Sequence, residues 1–139
     1  MRNNKPILLI EDDEVDAMTV KRALKDIKVT NPLVRALNGE EALDYLHNSE
    51  NQRPCLMLLD LNMPKMNGIE FLKERYEVVD LKTIPVVVLT TSKDDQDKLD
   101  SFRLDISGYM IKPVDYGQFV ETMKVINMYF TLSESVDQS

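Results

Sequence analysis

The sequence predicts an α/β fold, a parallel sheet covered by helices on both faces, on two observations. Five short apolar runs recur along the chain with helical stretches between them, and three of those runs are apolar without alternation. Strict β-α alternation implies right-handed crossovers between parallel strands. Runs that do not alternate are the mark of strands buried on both faces.

The first strand is read at Ile7–Ile10, and Ala17, Val20, Leu24 and Ile27 then share one helix face. Leu33–Leu37 is the second strand, after which Asn38-Gly39 announces a helix running through Ala42, Leu43 and Leu46. A polar loop, His47–Pro54, leads to the third strand, Leu56–Leu59, and Ile69, Leu72, Tyr76 and Val79 share a face of the third helix. Val86–Leu89 is the fourth strand, Leu99 and Phe102 mark a shorter helix, and Tyr109–Ile111 is the fifth strand. Phe119, Met123, Ile126 and Phe130 mark the last helix. Apolar residues at this spacing face a core, and the eight methionines are expected there as adaptable fillers. Five strands and five helices suit the sheet order 2-1-3-4-5 of flavodoxin-like folds.

A chain of 139 residues is long enough for one proper core. One domain is expected over residues 1–132, followed by a loose polar tail, Ser133–Ser139. No repeat or second domain is read, so direct action on DNA or on an outside substrate is not expected. Apolar residues at 43% and charged residues at 29% fit a soluble globular protein. A formal charge of −7 without a basic stripe argues against a nucleic-acid partner. No apolar run approaches the ~20 residues that span a bilayer, and the polar start, Met1 to Lys5, leads straight into a strand without a signal peptide. Cys55 is the only cysteine, which rules out an internal disulfide and, with the rest, points to the cytoplasm. Its place at the start of an apolar run reads as a buried thiol.

Function in such a sheet collects at the carboxyl ends of the strands, above all at the switch between the first and third. The first run is followed by Glu11-Asp12-Asp13, the third by Asp60, the fourth by Thr90-Thr91 and the fifth by Lys112-Pro113. Four strands therefore deliver acids, a hydroxyl and an amine to one edge. Crowded carboxylates repel one another unless a cation or proton joins them. Mg²⁺ suits such a set, because it takes one or two carboxylates and keeps waters that a phosphate oxygen can replace. The lysine supplies a point charge and the threonine a hydrogen bond for a phosphoryl group. A carboxylate can itself attack phosphorus, giving an aspartyl phosphate. Each part has a plainer reading: Asp12-Asp13 as caps of the next helix, Asp60 as a turn residue, Lys112-Pro113 as a strand exit. Their joint appearance in this order favours the site.

The runs ILLIEDDEVDA, LLDLNMPKMNGIEFL, PVVVLTTS and SGYMIKPVD resemble the receiver domain of two-component response regulators. The resemblance extends from about Lys5 to about Phe130, with the four motifs in family order. It implies the receiver fold and makes Asp60 the phosphoacceptor. Asp12 would bind Mg²⁺ together with Asp60 and the backbone carbonyl of Asn62, Glu11 would act mostly through water, and Asp13 falls outside the family's acidic pair. Thr90 matches the hydroxyl that turns toward the phosphoryl group, Lys112 the lysine that pairs with it, and Lys112-Pro113 the family's cis peptide. Tyr109 matches the aromatic that swings inward as Thr90 moves, while Asn62 and Ser92 match the positions that tune hydrolysis.

The implied donor is a phosphohistidine on a sensor histidine kinase or phosphotransfer protein. The implied readout is a downstream protein that senses a shift in the helix around Leu99 and Phe102, the last strand and the last helix. A stand-alone receiver would act through such contacts or as a relay step, and the family also makes homodimers through these helices. Two departures stand out. Leu104-Asp105-Ile106 carries Asp where the family usually has Gly, a residue that tolerates a left-handed backbone. The His47–Pro54 loop is longer than in compact receivers; a partner-binding feature and a tolerated insertion both fit, and the insertion is preferred. His47, the single histidine, has no phosphotransfer helix around it and reads as a surface residue.

Three rival readings fit the residues less well. A haloacid-dehalogenase-type phosphatase needs an acid two residues after its nucleophile, where this chain has Asn62. A flavin carrier needs a phosphate-binding loop where the chain has Glu11-Asp12-Asp13-Glu14. A degenerate receiver, working only as a binding module, would typically lack Asp60, Lys112 or one of the acids.

Overall fold

The computed structural model describes residues 4–61, 66, 68–78, 81, 83–90, 106–111 and 115–130, with backbone alone for 90, 109–111, 127, 129 and 130. In chain order the described elements are β1 (Ile7–Ile10), α1 (Glu14–Asp26), β2 (Leu33–Ala36), α2 (Gly39–His47), β3 (Leu56–Asp60), α3 (Gly68–Tyr76), β4 (Val86–Thr90), β5 (Gly108–Ile111) and α4 (Tyr116–Phe130). The helix expected around Leu99 and Phe102 and the tail Ser133–Ser139 lie outside the described residues. All four strand pairings are parallel, in the order β2-β1-β3-β4-β5.

The pleat explains why the inner strands are apolar without alternation. Ile7 and Leu9, Leu56 and Leu58, and Val87 and Leu89 pack on one side with Ala17, Val20 and Leu24 of α1 and Phe119, Met123 and Ile126 of α4. Their neighbours Leu8 and Ile10, Met57 and Leu59, and Val86 and Val88 pack on the other side with Ala42 of α2 and Phe71 and Leu72 of α3. Successive side chains point to opposite faces, so a strand covered on both faces must be apolar at every position. The two clusters lock the register, since a slip of one residue would exchange them.

Helix ends are set by local chemistry. Asp13 caps α1, its carboxylate accepting from the Asp16 N–H at 2.9 Å. Asn38 caps α2 by accepting from Glu41 N–H at 2.9 Å, while the Glu41 side chain accepts from Leu37 N–H at 2.9 Å. Both satisfy donors that a helix start leaves open. At the other end of α1, Val29 N–H bonds Leu24 C=O at 2.9 Å, and Lys28 takes the left-handed position with φ 63°. This six-to-one bond and its Val29–Leu24 contact form a Schellman motif, with lysine where glycine is usual. Tyr116 ties α4 to α1: its hydroxyl donates to Asp26, and the Arg22 guanidinium lies 4.9 Å over its ring.

Several expectations are corrected. On α3, Leu72 is buried and Ile69 packs on the core as expected, but Tyr76 is 38% exposed, Phe71 and Arg75 are buried as well, and Val79 lies outside the described residues. Arg75 donates to Ile84 C=O at 2.8 Å, which lets a charged residue hold a core position. Ile27 is the C-cap of α1 and not part of the helix, although it still packs on the core. Leu37 lies beyond β2 and is exposed, its N–H being taken by the Glu41 side chain. Met57 and Met123 are buried, but Met18 and Met128 are 63% and 79% exposed, so methionine is not uniformly core. Cys55 is only half-buried, its Sγ placed 3.5 Å from Lys5 C=O. Among the described residues, no helix is long and apolar enough to cross a membrane.

Candidate functional site

Parallel register carries the acids to one edge. Ile10 of β1 pairs with Leu59 of β3, so Glu11 and Asp60, one step further on, stand abreast. Asp60 pairs in turn with Leu89 of β4, and Thr90 with Ile111 of β5. The ladders reach both acids, with Glu11 N–H on Ala36 C=O at 3.0 Å and Leu61 N–H, one residue past Asp60, on Leu89 C=O at 3.1 Å. Both carboxylate-bearing residues therefore sit on backbone that is hydrogen-bonded on either side.

One carboxylate oxygen from each of Glu11, Asp12 and Asp60 lies within 4.8 Å of the others. Glu11 and Asp60 are 0% and 3% exposed, whereas Asp12 faces solvent. Burying carboxylates this close costs several kcal/mol per ion unless charge and hydrogen bonds compensate. Glu11 Oε2 accepts from Asp13 N–H at 3.2 Å, and its carbonyl accepts from Arg35 Nε at 2.9 Å. Arg35 also reaches Glu14 at 2.7 Å, so the guanidinium anchors the loop that carries the acids. The neighbouring acids Asp12 and Asp13 are thus split by role: Asp13 is the helix cap, and Asp12 is left to the edge with Glu11.

Leu61 and Met66, which follow Asp60, each meet a glycine at close backbone approach. Gly68 N–H bonds Leu61 C=O at 3.1 Å, and a Cβ at Gly68 would stand 2.6 Å from Leu61 Cα and 3.0 Å from the Asp60 carbonyl. Gly39, the first residue of α2, donates to Met66 C=O at 3.1 Å. The sequence reading noted Gly39 as a helix start and Gly68 as part of a motif, but not this contact between elements.

Of the residues expected at the site, the structure brings together Glu11, Asp12 and Asp60. The backbone of Thr90 ends β4, the strand beside β3, at the same edge, whereas Tyr109 is the second residue of β5, two strands from β3, and pairs with Val88. Asn62, Ser92, Lys112 and Pro113 lie outside the described residues. His47 ends α2, exposed, in a different cleft lined also by Tyr45, Arg53 and Val78, and none of the site acids touches that cleft. The oxygen-only donor set of the acidic edge suits a hard divalent cation such as Mg²⁺ rather than a soft metal.

The family model of the response regulator receiver domain matches residues 7–124. The response regulator Rcp1 of Synechocystis is 42% identical over 112 residues, spanning 78% of this chain and 76% of Rcp1. Among solved structures, the phosphorylated cyanobacterial phytochrome response regulator RcpA superposes with a TM-score of 0.78 at 36% identity, over 92% of this chain and 94% of that one. The Mn²⁺-bound form of Rcp1 gives a TM-score of 0.78 at 33% identity, over 95% and 99% of the two chains.

Proposed function

The chain belongs to the response regulator receiver domain family, and from that premise we propose that it is a stand-alone phosphorylation switch with Asp60 as acceptor. The observation that carries the reading is the meeting of Glu11, Asp12 and Asp60 within 4.8 Å. These acids come from two adjacent strands, where sheets of this kind place their chemistry.

In the proposed reaction a carboxylate oxygen of Asp60 forms a bond to phosphorus as the bond to the donor's histidine nitrogen breaks. The electron pair leaves with the imidazole, which takes up a proton. The donor is a sensor histidine kinase or a phosphotransfer protein, and the phytochrome named for RcpA makes a phytochrome-type kinase the first to assay. Mg²⁺ would be held by Asp12, Asp60 and the carbonyl of Asn62, with Glu11 behind them, and when bound it supplies positive charge to the phosphoryl oxygens. Lys112 pairs with the phosphoryl group and Thr90 donates a hydrogen bond to it. Tyr109 follows Thr90 inward, and Asn62 and Ser92 tune hydrolysis. The added charge of about −1.5 to −2 biases a two-state equilibrium that a downstream protein reads. The protein turns over no outside substrate; its chemistry is its own phosphorylation and dephosphorylation. Residues 1–132 form the receiver, 133–139 follow it as a tail, and the cytoplasm is its place of action.

Beryllofluoride, a stable mimic of the phosphoryl group, tests the reading. Binding is expected only with Mg²⁺ and is lost in Asp60→Asn. A folded protein that binds neither Mg²⁺ nor the mimic would instead be a phosphorylation-independent binding module.

A further inference from the structure

The last turn of α1 overhangs a cleft of about 270 Å³ lined by Lys21, Leu24, Lys25, Lys28, Val29 and Leu33, with Thr30 and Asn31 completing the wall. Lys21 and Lys25 stand one helical turn apart, and Lys28 occupies the left-handed position of the cap. No acid lines this cleft, and among the described residues no side-chain hydrogen bond or ion pair engages any of the three lysines. On a chain of formal charge −7, three uncompensated cations around one concavity are a local reversal of the surface field. The floor is apolar: Leu24 and Val29 belong to the core cluster, and Leu33 packs against it.

We propose that this cleft docks a short acidic segment of a partner protein, seating one apolar side chain over Leu24, Val29 and Leu33 with carboxylates beside Lys21, Lys25 and Lys28. Charge complementarity selects an acidic occupant, and the apolar floor selects one with a side chain to bury. A polynucleotide would be repelled by the net charge at long range. A lone phosphate would leave the apolar lining unused. A lipid surface is contacted through a protruding apolar face, whereas these apolar groups line a hollow.

The cleft lies at the far end of α1 from the acidic edge. Glu11 and Asp12 precede the first turn of this 13-residue helix, which spans about 20 Å, and Lys28 follows its last. An occupant would leave the acidic edge open to a phosphodonor. The docking therefore goes beyond the proposed phosphorylation and does not rest on it.

The test is a titration followed by heteronuclear amide NMR. The probe is the synthetic peptide Glu-Glu-Asp-Leu-Asp-Glu-Glu, compared with its Gly-for-Leu version, inorganic phosphate and mixed phosphatidylcholine–phosphatidylserine vesicles. The proposal predicts saturable shifts at Lys25, Lys28, Val29 and Leu33, equal in wild type and Asp60→Asn. Affinity should fall about tenfold or more in the Lys21→Gln/Lys25→Gln variant and at high salt, and fall again for the Gly peptide. Absence of saturable shifts, or equal binding by the double variant, would overturn it. Phosphate or vesicles giving the same shifts more tightly than the peptide would overturn the choice of occupant. Because Lys21 and Lys25 are exposed, the double variant should keep the wild-type melting curve, which separates lost docking from lost fold.

Discussion

Gly39 donates its N–H to the carbonyl of Met66 at 3.1 Å, so the first turn of α2 is bonded directly to the loop that follows Asp60. A Cβ at Gly39 would lie 2.8 Å from both the carbonyl oxygen and Cγ of Met66. At Gly68 the obstacle is harder, because Leu61 Cα stands at 2.6 Å and belongs to backbone. The two glycines are close-approach residues that let Met66 come against the start of α2 and the start of α3 come against Leu61.

Alanine at either position is expected to destabilise by about 1–3 kcal/mol, the usual cost of forced overpacking. Gly68→Ala should cost more than Gly39→Ala, since its nearest backbone atom, Leu61 Cα at 2.6 Å, is closer than the Met66 carbonyl oxygen at 2.8 Å. Urea denaturation of the two variants checks the order. Equal stability of both with wild type would show that the loop has slack.

Lys28 holds a φ of 63°, a conformation that costs a residue with a Cβ about 1–2 kcal/mol. Glycine removes that strain and gives back part of it through a more flexible unfolded chain. Lys28→Gly is therefore expected to raise stability by about 0.5–1 kcal/mol, read from the denaturation midpoint. A loss of stability would mean that the lysine makes a stabilising interaction in the folded state.

Burial pushes the Cys55 thiol above its ordinary 9.0, against smaller opposing effects from a backbone hydrogen bond and the charge of Lys5. The folded state thus favours the protonated form. The stability this contributes is complete below the unfolded pKa and is lost as pH rises through the higher folded value. Alkylation by iodoacetamide should accelerate at a higher pH in the native protein than in denaturant. A native rate that rises at lower pH would contradict the burial argument.

The sequence shows the sheet plainly because β1, β3 and β4 are buried on both faces and so are apolar at every position. On α3 it finds Ile69 and Leu72 on the core but wrongly adds Tyr76, because the buried place beside it is held by Arg75, whose stem and hydrogen bond to Ile84 C=O let it pass for a core side chain. Leu37 is assigned to β2 from its hydropathy, but a side-chain bond from Glu41 takes its N–H. At the site, the order of the motifs already pairs Glu11 and Asp12 with Asp60, while the division of labour between Asp12 and Asp13 needs the cap geometry. The lysine cleft escaped the sequence reading. Lys21 and Lys25 look like an ordinary solvated face until the Schellman turn brings Lys28 and the apolar floor beside them.

The central claim is that Asp60 accepts a phosphoryl group with a divalent cation held by the acids around it. Intact mass after incubation with acetyl phosphate and Mg²⁺ tests it most directly. The account predicts a gain of one phosphoryl group, absent in Asp60→Asn and absent with a chelator. A gain that persists in folded Asp60→Asn, or that does not depend on the metal, would contradict it.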